Sequence, residues 1–157
     1  MVKYFLLIFI VIINGQLLHP DTDAILNQIH VRFEWQEHPQ ASQYEIYIAD
    51  SNDIVNDCVI CGERVSSNSL IYIVKENLDW NNSYSWQINS LSNDGEILSS
   101  NSDTFSIGPS IANATTTLYN SDVQQGLTIF GSFFDYYSAV IDKDGHEIWN
   151  SSNDNLI

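Results

Sequence analysis

The chain has 157 residues, 44% of them hydrophobic and 12% aromatic, and it carries 20 acidic against 5 basic side chains for a formal net charge of −15. So acidic a surface repels phosphate backbones and anionic lipid, which excludes nucleic acid as a partner. The apolar fraction is that of a folded chain, and the acids are scattered, so they read as a solubilising surface, with cation binding as the alternative.

The first element is a leader. Lys3 precedes an unbroken apolar run from Tyr4 to Ile13, and the small Gly15 follows. About ten apolar residues cannot cross a hydrocarbon core of about 30 Å as a helix. A basic start, a short apolar centre and a small residue near its end make a signal peptide over residues 1–15. Leu17 and Leu18 prolong the apolar character, so an uncleaved anchor is the alternative. Once the leader is cleaved no stable membrane span is expected, and the chain is secreted, extracellular or periplasmic.

Strands follow. "IHVRFEW" places Ile29, Val31, Phe33 and Trp35 on one side and His30, Arg32 and Glu34 on the other, the period of a half-buried strand. After a Pro-containing break, "YEIYIAD" aligns Tyr44, Ile46 and Ile48. An acidic, irregular stretch then carries the two cysteines, Cys58 and Cys61, in "CVIC". Thioredoxin-type redox chemistry needs a helix N-terminus before the first cysteine, and a zinc site needs four ligands. Neither is offered, so a small-loop disulfide pinning an edge segment is favoured over free thiols, with catalysis last. "LIYIV" is the next strand, and "SYSWQINSL" alternates Tyr84, Trp86 and Ile88 against Ser85 and Gln87. "NDG" turns the chain into a final strand, "DTFSIG". The expected fold is all-β, a two-sheet sandwich.

Beyond a polar connector, "GLTIF", Tyr137–Ile141 and His146–Trp149 are three further candidate strands, the last two joined by a "DKDG" turn. A calcium loop there would have only Asp142, Asp144 and Glu147 to offer, fewer oxygens than the ion needs. A tail this short does not build a core unaided. It lies on the sandwich, joins another chain, or begins a further domain. Exposed apolar surface is expected around Phe130, Phe133, Phe134 and Trp149. N-x-S/T sequons at Asn81, Asn113 and Asn150 are candidate glycosylation sites. There is no G-x-S-x-G elbow, no HExxH and no phosphate-binding glycine loop, and the four histidines stand singly, so no catalytic, cofactor-binding or metal-binding residue is assigned.

Leu78 lies six residues before Tyr84 in "LDWNNSY", ahead of a strand, as at a tyrosine corner. With Trp35 and Tyr44 as core fillers, Trp86 beside them and the closing "FSIG", residues 21–109 resemble a fibronectin type III domain, an immunoglobulin-like β-sandwich. The stretch over residues 51–68 is longer than the family's usual middle strands and is similar to a variant of large secreted bacterial proteins. In the remainder, residues 110–157, "GLTIF" followed by "AVIDKDGHEIWNS" resembles the opening of an arylsulfotransferase-type β-propeller, whose members often follow a fibronectin-like domain. The two resemblances together imply a non-catalytic secreted binding or spacer module, the N-terminal part of a larger protein, with its other domains or another chain as partners. The alternative they imply is a fragment of the propeller enzyme, whose catalytic residues would then lie beyond Ile157.

Overall fold

A computed structural model describes residues 16–50, 53–54, 56–111, 126–132 and 137–151. The expected leader over residues 1–15, Asn113, Phe133 and Phe134 lie outside them. The fold is all-β, with no helix among the described residues.

Eight strands form two facing sheets. They are β1 (Leu17–His19), β2 (Ala24–Leu26), β3 (Val31–Trp35), β4 (Gln43–Ala49), β5 (Cys58–Ser66), β6 (Ile71–Val74), β7 (Ser83–Leu91) and β8 (Ile97–Ile107). One sheet has the order β1-β3-β6 and the other β2-β8-β7-β4-β5. Hairpins join β4 to β5 and β7 to β8 within one sheet, whereas β3 to β4, β5 to β6 and β6 to β7 cross between sheets. That alternation is a Greek-key sandwich.

The alternation read from the sequence closes the core. Val31, Phe33 and Trp35 from the smaller sheet meet Tyr44, Ile46, Ile48, Tyr84, Trp86 and Phe105 from the larger one in a single buried cluster. Phe33 contacts Trp86 edge-on at 5.0 Å between ring centroids, and Trp35 contacts Tyr44 at 5.4 Å. Such aromatic pairs contribute about 0.5–1.5 kcal/mol beyond their buried area. Leu78 and Tyr84 belong to the same cluster, so Trp35 and Tyr84 share one interior. At the corner itself, the Asp79 amide donates to the Tyr84 hydroxyl at 2.7 Å, and the Asn82 amide group donates to it at 3.2 Å. The ring is buried while its hydroxyl pins the β6–β7 crossover.

Three features differ from the sequence expectation. First, the earliest strand among the described residues begins at Leu17, inside the apolar continuation of the expected leader, and Leu17 packs on the core. β1 pairs with β3 and β2 runs parallel to β8, so the entering chain covers an edge of each sheet in turn. Three-residue strands carry too little alternation to be recognised. Second, β8 starts at Ile97, well before "DTFSIG", because a run of Ser and Asn is carried along by pairing with β7. Third, the cysteine segment is a strand: β5 pairs with β4, although the register slips on either side of Ile48. Cross-strand pairing gave regular extended structure to an edge segment whose composition read as irregular.

Candidate interface of the carboxy-terminal sheet

The tail builds its own antiparallel sheet, in the order β11-β10-β9, from β9 (Thr128–Ser132), β10 (Tyr137–Ile141) and β11 (Glu147–Asn150). The turn between β10 and β11 is organised by Asp142. Its Oδ1 accepts the Asp144 amide at 2.8 Å and the His146 amide at 2.9 Å, and the His146 ring lies 3.1 Å from its Oδ2. Gly145 supplies the φ of 90° that closes the turn. Burial alone would raise the Asp142 carboxyl, but the hydrogen bonds from His146 and Asp144 and the His146 charge outweigh it and hold it below its ordinary value.

A depressed folded value means that the turn gains stability at pH above the unfolded carboxylate range and loses it as pH falls through the folded value. The Asp142 carboxyl, followed by NMR, should therefore titrate below a free aspartate, with the His146 amide losing protection in the same acid range. A midpoint at or above that of free aspartate would refute the arrangement.

The sheet is not separate from the sandwich. The Ile29 amide donates to the Ile148 carbonyl at 3.0 Å and the Asn150 amide to the Asn27 carbonyl at 2.9 Å, a two-bond antiparallel bridge centred on Gln28 and Trp149. From the tyrosine-corner loop, the Trp80 indole N–H donates to the Glu147 carbonyl at 3.2 Å. The Glu147 carboxylate is buried, at 6% exposure, and gathers the chain that leaves β8. It accepts the Ser110 hydroxyl, the Ile111 amide at 3.1 Å and the Asn150 side-chain amide at 2.6 Å. The Asn150 amide group also donates to the Pro109 carbonyl at 3.0 Å. A buried carboxylate needs such donors, because removal from water without them is costly. Ala139 and Ile148 of this sheet are buried.

The tail therefore lies against the sandwich, the first of the three resting places considered for it. Glu147, weighed in the sequence as a calcium ligand, turns its carboxylate into this junction instead. Asp142, Asp144 and His146 could bring ligand atoms within 4.8 Å of one another. Both Asp142 oxygens are already engaged by the turn. Asn150, one of the sequons, is 1% exposed, with its side-chain amide nitrogen bonded to Pro109 and Glu147. Asn81 is exposed in a left-handed turn at φ 58°. The apolar surface expected on the tail is found at Leu127 and Ile129, 61% and 75% exposed, with Trp149 at 36%, whereas Phe130 is half-buried.

Cys58 and Cys61 form a disulfide with Sγ atoms 1.98 Å apart. Trp35, Tyr44, Leu78, Tyr84 and Trp86 are all buried. A depression of about 380 Å³ on the outer face of the larger sheet is lined by Asp23, Asp50, Ser83, Ser85, Thr104 and Ser106. Its Asp23 carboxylate is held by the Thr104 hydroxyl at 2.6 Å, and no histidine or cysteine reaches it to activate a serine. No helix among the described residues is long and apolar enough to cross a membrane. No family model matches the chain, and neither does any curated protein.

Proposed function

We propose that this chain is a secreted, fibronectin type III-like binding and spacer module, non-catalytic by itself, that forms the N-terminal part of a larger extracellular protein. Its role is to hold the carboxy-terminal sheet at a set orientation. The observation that carries this is the junction: one buried carboxylate, one indole and a two-bond bridge tie that sheet to the sandwich core. The strand order, the Tyr84 corner and the disulfide support the fibronectin-like and secreted parts of the reading.

A second reading, a fragment of an arylsulfotransferase-type propeller, is favoured by one feature. The outer edge of β9 has no strand partner among the described residues, and its Ile129 side chain is exposed, as the rim of an unfinished blade would be.

Expression of the whole chain in a secreting host tests the proposal. The expected product is exported, trimmed close to Gln16, oxidised at Cys58–Cys61 and inactive in transferring sulfate from an aryl sulfate to a phenol. Retention in the cytosol would refute secretion, and sulfate transfer would establish the enzyme. Coding sequence that continues in frame past Ile157 into W- and DG-containing repeats would favour the second reading.

A further inference from the structure

We infer that the Cys58–Cys61 disulfide is a thiol–disulfide exchange site that controls one half of β5. Its partner is a dithiol of the solvent or of an oxidoreductase. Three observations meet at this place. Among the described residues β5 is the outermost strand of its sheet, so one flank of the disulfide faces no other described strand. Cys61 is exposed, while Cys58 is half-buried. The β4–β5 register slips between Ile46 and Ile48 and again between Ile48 and Ala49, which faces Cys58.

The disulfide therefore spans a discontinuity in the ladder. On one side, Gly62–Ser66 is held firmly: Tyr44 pairs with Val65 and Ile46 with Glu63. Gly62 sits at φ 61° directly over the Tyr47 ring, where a Cβ would come within 2.9 Å of the hydroxyl. On the other side, Cys58–Ile60 meets β4 through the pairings of Ile60 with Ile48 and of Cys58 with Ala49, on either side of a register slip. A ring closed over so few residues restrains the unfolded chain little, so opening it need not unfold the sandwich.

A thiolate of the dithiol attacks Sγ of Cys61, the more exposed of the two residues; a new S–S bond forms and the electron pair leaves on Cys58 Sγ. The second thiol of the dithiol, as thiolate, then attacks its own partner sulfur and expels the Cys61 thiolate. The dithiol is oxidised to a disulfide, the cysteine pair takes up its two electrons, and the two thiol protons end on Cys58 and Cys61 at neutral pH. Once reduced, Cys58–Ile60 detaches from Ile48–Ala49. Ile60 also lines a groove of about 270 Å³ with Tyr72, Ile73 and Val74 of β6, so its release opens the seam between the two sheets on that side.

The test uses the folded full chain. Dithiothreitol in denaturant-free buffer, with iodoacetamide quench and peptide mass analysis, should reduce the pair completely. Hydrogen exchange should then show protection at Cys58–Ile60 falling by about tenfold or more, with β3 and β7 unchanged. Brief exposure to glutathione, acid-trapped, should leave the adduct on Cys61. A Cys58→Ser/Cys61→Ser double variant should reproduce the reduced exchange pattern. The inference is overturned if reduction requires denaturant, if protection is kept or is lost across the whole sandwich, or if the adduct sits on Cys58.

Discussion

Trp86→Ala should destabilise the sandwich by about 3–5 kcal/mol, the range for truncating a buried aromatic core residue. Against a stability of about 5–15 kcal/mol typical of a domain, that loss leaves little margin. Trp86 is 0% exposed at the middle of β7, where it pairs with Ile48 of β4 and Asp103 of β8. Its ring meets Phe33 of the opposite sheet. Removing it opens a void at the point where both sheets press together, and strands fixed by hydrogen bonds on both sides cannot close in to fill it. Urea unfolding followed by far-ultraviolet circular dichroism measures the loss. Trp86→Phe should cost clearly less: the Trp86 indole N–H finds no acceptor among the described residues, so the change forfeits volume but no hydrogen bond. A loss below about 1 kcal/mol for the alanine variant would mean that this ring is not central to the core.

Glu147→Ala should release the carboxy-terminal sheet without unfolding the sandwich. The substitution takes away the acceptor of the Ser110 hydroxyl, the Ile111 amide and the Asn150 side chain. Hydrogen bonds to a charged group contribute about 1.5–3 kcal/mol each, and donors left behind in a buried site add their own desolvation cost. The Trp80 bond and the Gln28–Trp149 bridge are too few to hold the sheet against that loss. Native-state hydrogen exchange is the measurement. The Ile29 and Asn150 amides, which donate across the junction, should lose protection in the variant while the amides of β4 and β7 keep theirs. Limited proteolysis should then leave a fragment ending near residue 110 from the variant and a longer one from the parent chain. Glu147→Gln should fall between, because one amide oxygen still accepts while its NH2 faces the other donors. Unchanged exchange at Ile29 and Asn150 would show that the carboxylate does not hold the junction.

The sandwich core was legible because period-two alternation carries its own assignment: wherever Val31, Phe33 and Trp35 or Tyr84, Trp86 and Ile88 alternate with polar residues, one face must turn inward. The tyrosine corner was legible for a similar reason, since Asp79 and Tyr84 lie close in sequence and the hydrogen bond that joins them is local. The junction was not. Glu147 bonds to Ser110 and Ile111, more than thirty positions earlier, and Trp80 reaches it from farther still. Each of those residues is ordinary in its own neighbourhood. Asn150 shows the hazard of a motif taken alone, for its sequon says nothing of whether the amide will be buried.

By itself, then, the order of residues determined which side chains face inward and where the chain turns, because strand pleat and turn chemistry act between near neighbours. The tertiary structure decided how the edges are covered, that a cysteine-bearing segment joins β4, and that the last sheet rests on the first domain. Those outcomes depend on backbone and carboxylate hydrogen bonds between segments far apart in the chain. Any exposed strand edge could satisfy them, and only the assembled sandwich determines which one does.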